Sequence, residues 1–188
     1  MKQATVDKKG LEKFVYKFYK NKDMMHDLAH IRRILATAMK ISEKHKVDLS
    51  ILTFTTYFHG IDLELHRQEL IDYLRAQDFK MKEVKRIFQA ASESRTESIP
   101  ETLEGKILHD AHLLEGGLTF HVVKSLITGV SRSNSISQII DYFNSNVNGK
   151  YRCYLPENKS PYKKKEAFAR EFFRDLEKNL AITDKDAK

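Results

Sequence analysis

The stretch LSILTFTTYFHGID, residues 49–62, carries the strongest structural signal in the sequence. Its first ten residues are mostly apolar or threonine, and Asp48 directly before them suits a helix N-cap. The β-branched content, with Ile51 and three threonines, would also allow a buried strand. The length of the stretch and its helical neighbours favour a buried helix. His59 stands at the inner end of this helix, where a polar ring needs a partner, and Gly60 follows it.

Apolar residues recur at helical spacing along most of the remaining chain. Seven glycines and three prolines leave few breaks in 188 residues. One helix is expected to start near Pro100 and to end at the glycines 116–117. The pattern predicts an all-α fold, a compact bundle of eight or nine helices in one domain, residues 1–188. The other predicted helices cover residues 8–20, 26–45, 63–76, 82–94, 118–129, 135–146 and 161–180, and the longest predicted loop is 148–161.

The composition is that of a basic protein, with a net charge of +7 and a pI near 9.3. This balance favours anionic partners such as nucleotides, nucleic acid or phosphorylated substrates. The basic residues are spread along the chain, however, and form no nucleic-acid-binding motif. The single cysteine, Cys153, cannot form an internal disulfide, and no signal-peptide or transmembrane segment is found. We therefore expect a cytoplasmic protein with no membrane partner.

Histidines and a carboxylate occur on three separate apolar segments. His26 and His30 lie four residues apart, on one face of a helix. His59 ends the apolar helix, and Asp110 lies in KILHDAHLLEGG on a third helix. Taken singly, each has a structural explanation: a helix-start residue, a satisfied core histidine, or a carboxylate paired with an arginine. Taken together, imidazoles and a carboxylate that converge from rigid helices are the ligands of a transition-metal site.

The order of these motifs resembles the HD superfamily of metal-dependent phosphohydrolases. HDLAHIRRI (26–34) is similar to the family opening HDxxHIxRV, and TLEGKILHDAHLLE (102–115) is similar to TLEGKIxxDADRLD. The resemblance covers about residues 20–120, with the helices of 118–180 expected to pack on this part. It implies a helical bundle of the HD-domain type.

The resemblance also implies roles for individual residues. His30 matches the first metal histidine, His59 the histidine of the His-Asp dyad, and Asp110 the final metal aspartate. All three are therefore expected to bind a divalent metal.

Three further residues match family positions near the substrate. His26 and Asp27 match the upstream pair, with His26 expected to bind substrate and Asp27 to act in catalysis. Arg33, one turn beyond His30, is expected either to hold a phosphate, as a catalytic and substrate-binding residue, or to pair with a carboxylate.

The sequence departs from the family pattern at several positions. Gly60 occupies the place of the dyad aspartate, so one metal at most is expected. His112, Leu113 and Glu115 replace the last three charged residues of DADRLD, and no histidine precedes the TLEGK helix. Either His112 or Asp62 can be considered as a replacement ligand.

Two functions follow from these residues. The first is a phosphohydrolase that acts on a small phosphorylated substrate, a nucleotide or another phosphate ester, with Mn, Mg, Fe, Ni or Zn at a variant site. The alternative is a catalytically inactive protein of the same fold that binds a nucleotide or a partner protein, with or without metal. The sequence gives no indication of the oligomeric state.

Overall fold

The computed structural model describes the backbone of residues 6–95 and 97–186 and the side chains of these residues up to 180. This part of the chain forms nine α-helices and contains no β-strand, which confirms the predicted all-α bundle. None of the helices in this part has both the length and the apolar character needed to span a membrane. The helices are α1 (Lys8–Tyr19), α2 (Leu28–Ser42), α3 (Leu49–Tyr57), α4 (Arg67–Ala76), α5 (Met81–Glu93), α6 (Leu103–Leu114), α7 (Gly117–Ser131), α8 (Ile136–Tyr142), which continues into a π-helical turn (Phe143–Val147), and α9 (Pro156–Asp186).

Helix α3 is the buried helix predicted from residues 49–58. The Asp48 carboxylate caps it by accepting hydrogen bonds from the backbone N–H groups of Ser50 and Ile51. Every residue from Ile51 to Tyr57 is buried. Thr53 and Thr56 fit inside the helix because each donates its hydroxyl to the carbonyl group four residues earlier.

The helices pack in two groups. In the first group α2, α3, α5 and α6 contact one another, and α1 and α4 close its sides. Its core includes Leu11, Ile31, Phe58, Leu70 and Ile87, all fully buried. In the second group α7, α8 and α9 surround a separate apolar cluster. Helix α9 also contacts α6, so the two groups meet along α6.

Helix α9 begins earlier than the sequence pattern predicts. It starts at Pro156, whereas the pattern starts it at 161, so the connection before it is short. Pro156 suits a first helical position, and the later Pro161 lies within the helix. A buried carboxylate from α6, Asp110, bonds to the backbone N–H groups of Tyr154 and Leu155 just before this start. Local sequence spacing does not predict this contact, because it is made by a residue more than forty positions away.

Candidate metal centre

Three histidines from separate parts of the chain meet in the first group of helices. His30 lies in the first turn of α2, His59 follows the end of α3, and His112 lies in the last turn of α6. One ring nitrogen of each lies within 4.8 Å of those of the other two. The ring centroids are 5.8 Å apart for His30 and His59, 5.4 Å for His30 and His112, and 4.7 Å for His59 and His112. This geometry is compatible with a metal site.

The His30 ring is oriented by a buried carboxylate. Its Nδ1 lies 2.9 Å from both oxygens of Glu115, whose side chain is 1% exposed. Burial lowers the pKa of His30 and outweighs the opposing effect of Glu115. Burial would raise the pKa of Glu115, but the hydrogen bond from His30 and the charges of Lys124 and Arg33 hold it well below its usual range. A neutral ring beside an ionised carboxylate carries its proton on Nδ1, so Nε2 keeps a free lone pair.

A hydroxyl group sets the tautomer of His59. The Nδ1 atom lies 2.7 Å from Oγ of Ser94, and that hydroxyl donates its own proton to the carbonyl of Ala91. Nδ1 must therefore be the donor to Ser94, which leaves Nε2 unprotonated. Burial, together with the nearby charge of Lys124, lowers the pKa of His59 to about 3. The His59 backbone is also fixed, because its carbonyl lies 2.7 Å from the hydroxyl of buried Tyr19.

His112 has a different environment. Its Nε2 lies 3.2 Å from Nζ of Lys124, and its Nδ1 is buried without a hydrogen-bond partner. Burial and the Lys124 charge hold the pKa of His112 well below its usual value. The ring is therefore neutral, as a metal ligand must be. A buried nitrogen without a partner is uncommon in a folded protein.

Asp110, predicted as the third metal ligand, does not join the histidines. Its carboxylate faces the start of α9, where it accepts hydrogen bonds from Tyr154 N, Leu155 N and the Asn158 side chain. The reason is helical geometry. Residues two apart on a helix point in nearly opposite directions, so Asp110 and His112 cannot both face one site.

Gly60 does not mark a carboxylate position that faces the histidines. Its backbone is left-handed, with φ of +77°, and it is exposed. Among the described residues, apart from the two neighbours in sequence, the only heavy atom within 4 Å of a Cβ added there would be Nζ of Lys22, which also donates to the Gly60 carbonyl. The proposed degenerate dyad is therefore not confirmed. Asp62 does not reach the histidines either, because its carboxylate accepts the N–H of Leu65 on the surface.

The three residues expected near the substrate have defined contacts. Asp27 caps α2 by accepting the backbone N–H of His30. The His26 ring stacks edge-on against His30, 5.8 Å between centroids, and its Nδ1 pairs with Asp23. Of the two roles expected for Arg33, the observed contact is the one to a carboxylate, 2.7 Å from Nε to Glu115.

A cavity of about 240 Å³ adjoins the histidine group at His112. Its wall contains His26 and His112 together with three cationic side chains, Lys124, Arg132 and Lys165. The remaining wall is largely aromatic and aliphatic and includes Phe120, His121, Ile139, Tyr142, Phe143, Val147 and Tyr151. The wall also includes Glu115. A wall that combines cationic side chains with aromatic and aliphatic ones suits an anion attached to a flat or apolar group.

Several residues of the site were not identified from the sequence. Ser94 and Lys165 carry no recognisable pattern, since serines and lysines are common on helices. His112 was named only as a possible replacement ligand and Glu115 was given no role, although the two are three residues apart at the end of α6 and therefore share a face. Asp110, two residues before His112, lies on the opposite face of the same helix.

No protein-family model matches the sequence, and a search of curated proteins finds no significant match. Similarity is found to solved structures. An HD-superfamily hydrolase from Bacillus thuringiensis superposes with a TM-score of 0.73 at 16% identity, over 92% of this chain and 96% of that chain. Bacillus subtilis YpgQ in complex with ADP gives 0.70 at 16% identity, over 91% and 93%. The Lin1889 protein of Listeria innocua gives 0.74 at 18% identity, over 92% and 94%.

At these identities the similarity establishes the fold. The chain shares the fold of an HD-superfamily hydrolase along nearly its whole length. The predicted bundle of the HD-domain type is thereby confirmed.

Proposed function

We propose that this chain is a metal-dependent phosphohydrolase that acts on a nucleotide or another phosphate ester. The observation that carries the proposal is the meeting of three neutral imidazoles, His30, His59 and His112, beside a cation-lined cavity. Two of the rings are held through Nδ1, by Glu115 and Ser94, so that Nε2 is free. Partners on the second ring nitrogen are the usual means by which proteins orient metal-binding histidines.

The donor set narrows the choice of metal. Three nitrogen ligands suit Zn, Fe, Ni or Co, whereas Mg prefers oxygen ligands. No carboxylate joins the group among the described residues. Sites with three protein ligands keep a position open for water or substrate. When bound, a divalent ion of this kind polarises a phosphoryl oxygen and acidifies a water molecule.

The cavity residues supply binding and charge. Lys124, Arg132 and Lys165 would hold the phosphate group and offset the charge that develops on it. His26 lines the same cavity and remains our proposed substrate contact. Arg33 would act indirectly, by holding the Glu115 carboxylate that orients His30.

Two of the structural neighbours add support. One is described as an HD-superfamily hydrolase, and YpgQ was crystallised with ADP. A hydrolase reaction and a nucleotide ligand are consistent with the histidine group and the adjoining cavity of this chain.

A second candidate is a non-catalytic protein that binds a nucleotide in the same cavity. It is favoured by the lack of a carboxylate in the ligand group. Position 60, an aspartate in the family pattern, is a glycine that does not face the histidines, and Asp110 faces the start of α9. In this case the cationic wall would hold the ligand without turnover.

The test is a hydrolysis assay of the full-length protein with Zn, Fe, Ni, Co, Mn or Mg. Nucleoside mono-, di- and triphosphates and a general phosphomonoester serve as substrates. The expected result is activity with a transition metal that falls at least about 100-fold in His112→Ala and is retained in Lys82→Met, an exposed lysine of α5.

Two other results have clear meanings. Nucleotide binding by calorimetry without hydrolysis, in protein shown to hold metal, would support the second candidate. Both proposals would be overturned if the protein neither bound nor hydrolysed any of the phosphate esters.

A further inference from the structure

Lys124 of α7 is in an unusual position for a lysine beside a metal centre. Its Nζ lies 3.2 Å from Nε2 of His112 and 3.5 Å from a Glu115 oxygen. The same side chain forms part of the cavity wall. The Lys124 ammonium group is therefore in direct contact with one of the three rings that would bind the metal ion.

The contact with Lys124 fixes the protonation of both nitrogens of His112. An ammonium group has only donor hydrogens, so Lys124 uses the lone pair on Nε2 and the ring proton must be on Nδ1. The ring can then offer Nε2 only if Lys124 withdraws. If it offers Nδ1 instead, its proton moves to Nε2 and points at the ammonium, and Lys124 must again withdraw. Whichever nitrogen is used, His112 becomes a ligand only when Lys124 leaves it.

The charges around the site also oppose the binding of a metal ion alone. Arg33 and Lys124 contact the carboxylate of Glu115, and Lys165 donates to the backbone carbonyl of the same residue. Three cations and one carboxylate give a local charge of about +2 before any metal binds. The three histidines add no negative charge, because an imidazole ring is either neutral or cationic. A divalent ion would therefore enter a site that is already positive and buried, which is unfavourable unless an anion enters as well.

We propose that this site binds its divalent metal and a phosphate-type anion as a pair, and that Lys124 couples the two. With no anion, Lys124 stays on His112 and opposes the metal. With an anion in the cavity, the ammonium turns to it, and His112 is free to bind the ion. Such coupling is reciprocal, so the metal strengthens anion binding by the same factor. The inference rests on the metal site of the proposed function but does not depend on hydrolysis.

The test is a calorimetric titration of metal-free, full-length protein with Co²⁺, with and without methylphosphonate. Ionic strength is kept constant with chloride. In the parent, methylphosphonate is expected to raise the Co²⁺ affinity by roughly tenfold, within the usual range of coupling between sites. In Lys124→Met, which keeps much of the side-chain volume, the effect is expected to fall below about twofold. Without the anion, this variant should bind Co²⁺ more tightly than the parent. Lys82→Met serves as the matched control for loss of a lysine, and thermal melting checks that each variant folds.

The outcomes separate the coupling from the proposed enzyme. Co²⁺ binding with the same methylphosphonate effect in the parent and Lys124→Met overturns the coupling and leaves the metal site intact. The coupling is also overturned if, without methylphosphonate, Lys124→Met binds Co²⁺ more weakly than the parent does. Coupled binding in a protein that hydrolyses no phosphate ester supports the coupling and removes the enzymatic proposal. No Co²⁺ binding by any of the proteins overturns both.

Discussion

At the scale of single residues, the site depends on which nitrogen of each ring is engaged. His30 and His59 are both held through Nδ1, one by a carboxylate and one by a hydroxyl. His112 instead contacts a lysine. His30 and His59 are therefore oriented to bind a metal ion. His112 contacts either Lys124 or the metal ion.

The role of Gly60 can be tested at the same scale. Its φ of +77° favours glycine, so Gly60→Ala is expected to lower the free energy of unfolding by about 1–2 kcal/mol. Gly60→Asp should cost less, because aspartate tolerates the left-handed region better and would lie beside Lys22. Urea unfolding with chelator and with Zn²⁺ measures both variants. The losses should not depend on metal. A Zn²⁺ stabilisation that is larger in Gly60→Asp than in the parent would return position 60 to the metal site.

At the scale of elements, the end of one helix organises both the site and the fold. The last turns of α6 present His112 towards the other histidines and Asp110 towards the start of α9. A single α-helix thus serves two purposes on opposite faces, which accounts for the dense run of polar residues in HDAHLLE.

Removing the Asp110 carboxylate is expected to weaken the attachment of α9. In Asp110→Ala the N–H groups of Tyr154 and Leu155 and the amide of Asn158 lose their acceptor. We expect the free energy of unfolding to fall by roughly 2–4 kcal/mol, since buried donors would be left without partners. Asp141→Ala, an exposed carboxylate on α8, is the control and should change stability by less than about 0.5 kcal/mol. Equal stability of the two variants in urea unfolding would contradict the role given to Asp110.

The helices were predictable from the sequence, but His112 was considered only as a replacement ligand, with Asp110 as the expected third ligand. Hydrophobic spacing located α1 to α8 within a few residues, because one apolar face per helix is a local property. The start of α9 was missed because it depends on Asp110, a distant residue. Asp110 was assigned to the metal through its alignment with a family motif, although the helical period places it opposite His112.

At the scale of the whole molecule, the site lies where the two groups of helices meet. His30, His59 and His112 belong to the first group, and Lys124 comes from α7 of the second. Lys165 of α9 also reaches across, donating to the Glu115 carbonyl at 2.5 Å. Binding at the site should therefore strengthen the contact between the groups, because ligands that bind only the folded state stabilise it.

The pH dependence of stability should report on His121, which lines the cavity beside Phe143. Burial, with the charges of Lys165 and Lys124, lowers its pKa from 6.5 to about 4. Between these values His121 binds a proton in the unfolded chain and not in the folded chain, so its contribution to stability should fall as the pH falls from 6.5 to 4, in addition to those of His30, His59 and His112. The expected contribution is on the order of 1–3 kcal/mol. His121→Phe, which keeps the ring against Phe143, should flatten this part of the profile in urea unfolding at pH 7.5 and 5. An unchanged profile in the variant would contradict the assignment.

The most direct test of the three-histidine centre compares two neighbouring residues of α6. Metal-free parent, His112→Ala and Asp110→Asn are dialysed against Zn²⁺ with methylphosphonate present, and the bound metal is measured by elemental analysis. The three-histidine centre predicts one ion per chain in the parent and in Asp110→Asn, and loss of tight binding in His112→Ala. Loss of the ion in a folded Asp110→Asn, with full occupancy in His112→Ala, would contradict it.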